Sequence, residues 1–412
     1  MFGNGTSLRH LPFFEEVAAH EEHQAEWRAA TAGLVTLRLV DAWIEEGPDV
    51  AAPDSFMVNA VLKAIDKMDE GSTIPSILRS VVTTMQSAAP GDTHEVLPRL
   101  LAFGRALEFE SRWMLALDAY DTVVEHAHPH EESETAIVAH QRRGIALRSI
   151  GRFDDALDAY AASGAVAENA GDMIGVLRAK IGAAIIAMSR GNLPHADREF
   201  ERIAKAAAEH GLPDQQASAL DSRAAIAGFR GDHELAVRFA YDALQVANDP
   251  LERDHILNNI GTAFHMLGIR SAARDAFLVL SVTAQEEYMR WVAMLSLMTL
   301  AAEDGSEPAF EQIRRSLKIG SMPPDVKVDY FIHLGRAHRS LQHDDLAEIS
   351  FAKAVELAER HGLSRHLFEA ERELEAGRTA FKETSMPPAE GEIAEVAEAI
   401  QALRAHVMAG KT

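Results

Sequence analysis

Pairs of small residues twelve positions apart recur along the chain: Gly104 with Ala116, Gly144 with Ala156, Ala184 with Ala196, Ala224 with Ala236, Gly261 with Ala273 and Gly335 with Ala347. A degenerate copy, Leu297 with Ala309, precedes the last, so the second members are spaced 40, 40, 40, 37, 36 and 38 residues. Four residues after each alanine stands a large apolar side chain (Tyr120, Tyr160, Phe200, Phe277, Ile313 or Phe351), with Ala240 the exception. That offset is one turn along the same helix face. Seven residues after the first small residue come Gly151, Gly191, Gly231 and Gly268 in four copies, and glycine takes the left-handed conformation that ends a helix without steric cost. The pattern predicts antiparallel helix pairs whose small residues let the backbones approach, with the aromatic side chain filling the groove beside them. One hairpin cannot bury its apolar face alone, so the copies are expected to stack into a right-handed α-solenoid with its first helices lining a concave face.

The stretch Asn259-Ile260-Gly261-Thr262-Ala263-Phe264 through Leu267-Gly268 to Ala273 and Phe277 resembles the tetratricopeptide repeat. So does Arg143-Gly144-Ile145-Ala146-Leu147 through Gly151 and Ala156 to Tyr160. The resemblance runs from about Gly91 to Gly362 and departs from the common 34-residue period, with extra residues around His126 to Thr135, Asn169 to Ile174 and Gly211 to Gln216. Such long repeats resemble those of kinesin light chains and of the Rap-type bacterial peptide receptors. The expected fold is all-α: about seven hairpins over 91–362, an N-terminal helical bundle over 1–90 and capping helices over 363–412.

In the bundle, Phe13 to Glu46 reads as one long helix or two nearly continuous ones, and after Gly47-Pro48 come helices over Asp54 to Glu70, capped by Asp54, and Pro75 to Ala88. At the other end Leu363 to Lys382 reads as a helix, and Met386-Pro387-Pro388 then breaks the chain. Ile393, Val396, Ile400, Leu403 and Val407 follow as one apolar helix stripe, expected to cap the last hairpin, with folding into the groove or pairing with a second copy as alternatives. A bundle followed by long repeats is also the layout of Rap-type receptors.

Composition narrows the function classes. There are 63 acidic against 40 basic residues, a net charge of −23, which repels nucleic-acid backbones and anionic lipid surfaces. With no cysteine there is no disulfide framework, thiolate metal site or cysteine nucleophile, and a reducing cytoplasm fits. No stretch approaches 18 uncharged apolar residues. Gly410-Lys411-Thr412 imitates the end of a phosphate-binding loop, but Ala405 occupies the first glycine position and no helix follows. His20-Glu21-Glu22-His23 has its histidines three apart, not the four of a zincin pair, and reads as a solvated helix face. His126, His128 and His130 flank Pro129 in an inter-helix loop without a fixed outer shell for a metal. The expectation is no enzyme, no cofactor, and no catalytic or metal residue; a hydrolase or metal enzyme on the His-rich segments is the rival from another class.

Resemblance to tetratricopeptide proteins implies that the groove is lined by residues flanking each first-helix small residue. The candidate ligand residues are Asn259, Asn258, Gln141, Arg142, Arg148, His265, Arg336 and Arg339. Asn259 occupies the position whose asparagine holds ligand backbone amides in peptide-binding members. Arginine recurs in this set although the chain is acidic, and guanidinium groups hold carboxylates through paired hydrogen bonds. The expected partner is therefore a protein or peptide segment, acidic or ending in a free carboxylate. The competing reading has the arginines pair with Glu and Asp of neighbouring helices and Asn259 tie one hairpin to the next. Met188, Met294 and Met298 are either adaptable groove contacts or core. The function expected is a cytoplasmic peptide- or protein-binding scaffold, possibilities beyond it being a Rap-like regulator that changes pitch on binding peptide and a homodimer through the C-terminal helix.

Overall fold

The computed structural model describes residues 9–21, 24–45, 55–68, 72–89, 92–376 and 390–410. Among these it contains twenty α-helices, a 3-10 turn at Ile319–Ser321 and no strand. Gly47-Pro48, the expected Asp54 cap, Glu22, His23, Gly91 and Met386-Pro387-Pro388 lie outside the described residues. Contacts divide the chain into two compact units, Met1–Ile186 and Ala187–Thr412.

Unit 1 opens with α1 (Leu11–Ala19), α2 (Ala25–Glu45), α3 (Ser55–Ile65) and α4 (Ile74–Ser87), so the Phe13 to Glu46 stretch is two helices. The hairpins α5 (Val96–Phe109) with α6 (Trp113–His126) and α7 (Ser133–Ser149) with α8 (Phe153–Ala170) follow, and α9 (Met173–Ser189) begins the next repeat. The N-terminal helices share one core with these hairpins, because α2 packs on α6 and α4 packs on α5. Unit 2 contains α10 (Leu193–Glu209), then hairpins α11 (Pro213–Phe229) with α12 (His233–Val246), α13 (Pro250–Met266) with α14 (Arg270–Thr283), α15 (Glu287–Glu303) with α16 (Glu307–Ser316), and α17 (Pro324–Ser340) with α18 (Asp344–Arg360). The residues beyond the common period extend most of these helices to 17 or 18 residues.

Each crossing is built as the spacing predicts, and more tightly. The Tyr160 ring of α8 lies on Gly144 of α7, where an added Cβ would sit 2.7 Å from the ring, and Gly182 of α9 meets the same ring. Phe277 covers Gly261 at 2.7 Å and Phe351 covers Gly335 at 2.5 Å by the same measure, and Tyr120 covers Gly104. The device extends to the N-terminal helices, where Gly33 of α2 seats Phe13 and Phe103, whose rings stack 6.1 Å apart. Gly151, Gly191, Gly231 and Gly268 all have φ between 73° and 79°. Where the seventh position lacks glycine, Ser111 and Gln342 take the same conformation at φ 58° and 61°, so the turn geometry is imposed by the packing on either side of it.

The last two helices correct an expectation. The helix that packs on the final hairpin is α19 (Ser364–Ala376), set against α17 and α18. The apolar stripe of α20 (Glu392–Ala409) does not cap the last hairpin; it lies across α12 and α14, with Ile393, Val396 and Ile400 buried. Arg404 donates to Asp275 at 2.7 Å and Arg238 meets Glu392 at 3.1 Å. Apolar residues on α12 and α14, among them Leu280 and Val237, belong to the same core as this stripe. No described helix is long and apolar enough to cross a membrane.

In unit 1 the short α1 is pinned by a buried ionic cluster. His10, 4% exposed at its side chain, meets Asp118 at 2.9 Å through Nδ1 and Asp41 at 3.0 Å through Nε2. Asp41 also accepts from His126 at 2.9 Å and pairs with Arg9 at 3.1 Å. Burial alone favours neutral imidazole, but the two carboxylates outweigh it and hold His10 at about 9. Asp41 is driven below the ordinary carboxylate range, its own burial outweighed by the bonds from His10 and His126.

Two predictions follow from this packing. A methyl at position 261 gains helix propensity worth about 1 kcal/mol but enters the Phe277 ring, and overpacking of this kind costs about 1–3 kcal/mol. Gly261→Ala is therefore expected to lower the urea midpoint, and adding Phe277→Leu to restore part of it; a raised midpoint for the single variant contradicts the account. For His10, whose folded value lies above the usual 6.5, the stabilisation is complete below that value and lost as pH rises through about 9. His10→Gln should thus cost about 2 kcal/mol at pH 6.5 and little at pH 10, read from thermal melts at both.

Candidate functional site

The first helices of each hairpin carry the predicted ligand residues, and the structure joins most of them to a residue one repeat away. Arg142 of α7 reaches Glu108 of α5 at 3.3 Å. Asn259 of α13 donates its amide to both carboxylate oxygens of Asp221 on α11, at 2.9 and 2.8 Å. His265 meets Glu303 of α15 at 2.7 Å. Arg336 donates to Glu369 and Glu373 of α19 at 2.7 Å each, and Arg339 donates to the Glu373 carboxylate at 3.0 Å and stacks over Phe351. Unanticipated rungs include Thr299 with His333 at 2.8 Å; burial drives that imidazole down to about 3, so it is neutral. Residues 33 to 38 positions apart thus stand side by side on successive first helices, which makes these contacts a polar ladder within each unit.

The acidic partners Glu108, Asp221, Glu303, Glu369 and Glu373 escaped the sequence reading. Their signal was available, because each lies 33 to 38 residues from the cation or amide it holds. Asn258 is half-buried beside Asn259, and its backbone carbonyl accepts from Thr262. Met298 is fully buried and Met294 packs on the core. Of the three loop histidines, His126 is engaged by Asp41, while His128 and His130 lie 6.1 Å apart ring to ring. Among the described residues no cluster of three or more His, Asp or Glu is arranged to hold a metal ion.

In unit 1 the ladder is incomplete. Gln141 Nε2 and Arg148 Nε are buried without a hydrogen-bond partner, while the Tyr120 hydroxyl of α6 is turned to the Glu108 carboxylate. Burial raises the Glu108 carboxyl above its usual range despite Arg142 and Arg105, and it raises the Tyr120 phenol, which faces the Glu108 charge. Arg142 and Arg148 also face the Tyr160 phenol. Two donors of α7 thus stand unmatched, where an unpaired buried polar group costs about 1–3 kcal/mol.

In unit 2 the imbalance has the opposite sign. Burial pushes Asp221 up to about 6 against the Asn259 bond that lowers it. Glu252 is pushed up to about 7, first by burial and then by the charge of Asp221, with only the Ser218 hydroxyl acting to hold it down. Asp249 and Asp214 add further repulsion there. An acid whose folded value is raised penalises the fold as pH climbs from its ordinary value through the raised one. Asp221→Asn keeps an acceptor for Asn259, so it should stabilise the protein by about 2 kcal/mol at pH 8 and by little at pH 4, measured as melting temperatures; equal gains at both would remove Asp221 as the source.

No known family's sequence profile matches the chain, and no curated protein is significantly similar to it. Solved structures do resemble it. A Rap protein complexed with Competence and Sporulation Factor is 11% identical, with 85% of this chain and 99% of that one covered and a TM-score of 0.48. The apo form of the quorum sensor NprR from B. thuringiensis is 14% identical over 84% of this chain and 91% of that one, with a TM-score of 0.45. A tetratricopeptide repeat protein from Parabacteroides merdae is 14% identical over 67% of this chain and 98% of that one, at a TM-score of 0.40. Its helical hairpins, glycine-seated rings and repeat spacing give this chain an all-α helical-repeat fold of tetratricopeptide-like pattern.

Proposed function

We propose that the protein is a non-enzymatic scaffold that binds a peptide or protein segment on its first-helix face, and that the α5–α7 face of unit 1 receives a carboxylate of that segment, from an acidic side chain or a free C-terminus. The observation that carries this is the pair of unmatched donors there, the Gln141 amide and the Arg148 Nε. A carboxylate accepts from several donors at once and pairs with guanidinium through parallel bonds. Arg142 joins them readily, because its 3.3 Å contact with Glu108 is longer than the 2.7–3.0 Å contacts of Arg336 and Arg339. Arg336 and Arg339 are held by Glu369 and Glu373, so their part in this reading is to fix α19 on α17.

The test is fluorescence polarisation with an array of labelled hexapeptides, each made with a free and with an amidated C-terminus. Binders are expected to lose about tenfold in affinity on amidation, as one charge-assisted bond implies, and Arg148→Met with Gln141→Leu should remove the difference. Equal binding of acid and amide forms, unaffected by those two changes, would overturn the carboxylate reading.

A further inference from the structure

A second feature, in unit 2, asks for a different chemistry. Between α11, α12 and α13 lies a cavity of about 270 Å³. Its floor is alanine, Ala224, Ala236 and Ala263, all buried and continuous with the unit's main core. Its lips are Phe229 and Met266, 69% and 56% exposed. Large apolar side chains this exposed around a concave apolar floor mark a place where another apolar group is received. Gly228 opens it further, since an added Cβ there meets nothing within 4 Å.

Asn259 also lines the cavity and leads from it to the acids. Residues 221, 225 and 228 follow one face of α11, which sets Asp221 about 10 Å along the helix from Gly228. Asp221 is held by the Asn259 amide and Glu252 by the Ser218 hydroxyl, both neutral. Nearby cations are spent elsewhere: Arg253 on the carbonyls of Leu244 and Ala247, and Arg223 on Asp197. Asp214 accepts from the backbone amides of Asn248 and Asp249. A ligand carboxylate here meets like charge in a partly desolvated place, which costs several kcal/mol, whereas an ammonium or guanidinium supplies the missing counter-charge.

We propose that this cavity is a docking site for a segment of another polypeptide that places one large apolar side chain between Phe229 and Met266 and a lysine or arginine two or three residues away against Asp221 and Glu252. Two or three residues of extended chain cover about 7–10 Å, the separation of the cavity from the acids. The site is distinct from the carboxylate-receiving face of unit 1 and draws on none of its residues.

The experiment uses the full chain and three labelled heptapeptides, acetylated and amidated so that no terminal carboxylate is present. One carries phenylalanine flanked by lysines, one phenylalanine flanked by glutamates, and one alanine flanked by lysines. The lysine–phenylalanine peptide is expected to bind at least tenfold more tightly than either of the others. Gly228→Leu, whose Cβ meets no neighbour, places a side chain in the cavity and should abolish that binding, with an unchanged melting profile showing that the protein is folded. Asp221→Asn with Glu252→Gln should weaken it about tenfold and flatten its salt dependence. Equal or tighter binding of the glutamate peptide, or insensitivity to the paired acid substitutions, would overturn the cationic requirement. Binding untouched by Gly228→Leu, or no binding by any peptide, would overturn the site itself. The glutamate peptide alone can also reach the unit 1 face, so its binding is read in the Arg148→Met, Gln141→Leu background; the other outcomes leave the unit 1 reading where it stands.

Discussion

The close seating of an aromatic ring on a glycine of the partner helix is the contact on which the repeats depend. Tyr120, Tyr160, Phe277 and Phe351 each occupy space that a single methyl group would deny them. The consequence reaches beyond one hairpin, since Tyr160 touches Gly144 of its own pair and Gly182 of the next first helix. One ring therefore sets both the crossing within a repeat and the stacking between repeats. Interiors packed this tightly tolerate little change in volume, which explains why the left-handed turn persists at Ser111 and Gln342, where glycine is missing.

Holding first helices so close brings their polar side chains within bonding distance of one another. The resulting ladder consumes most of the groups that, viewed singly, look poised for a ligand. Arg336 and Arg339 are satisfied by Glu369 and Glu373, and Asn259 by Asp221. Function is then better sought where the ladder fails. In unit 1 it leaves donors unmatched at Gln141 and Arg148, and in unit 2 it leaves carboxyls without cations beside an apolar cavity. The opposite character of the two places gives the two units different appetites within one architecture.

The non-repeating helices are attached by means the repeat does not use. α1 buries Phe13 but is held in place by the His10, Asp41 and Asp118 cluster, which is strong only because both imidazole nitrogens find carboxylates. α20 ties α12 to α14 with three buried apolar residues and an ion pair at either end, Glu392 to Arg238 and Arg404 to Asp275. Its buried residues join the same core cluster as the alanines under the cavity.

What the sequence by itself determined is the repeat: helix type, hairpin pairing, the glycine turns and the aromatic at each crossing. These depend on contacts between residues twelve to sixteen positions apart, and a periodic pattern records such contacts directly. It also marked the helix faces that carry Gln141, Arg142 and Arg148 in unit 1 and Asn259 in unit 2, because helix periodicity assigns faces. Only the tertiary structure decided which of those side chains are already spoken for, where α20 rests, and that Glu108 and Asp221 stand opposite Arg142 and Asn259. The physical reason is that a residue's type shows what it can bond, while its partner is set by which helix lies 33 to 38 residues away and by how closely the rings allow that helix to approach.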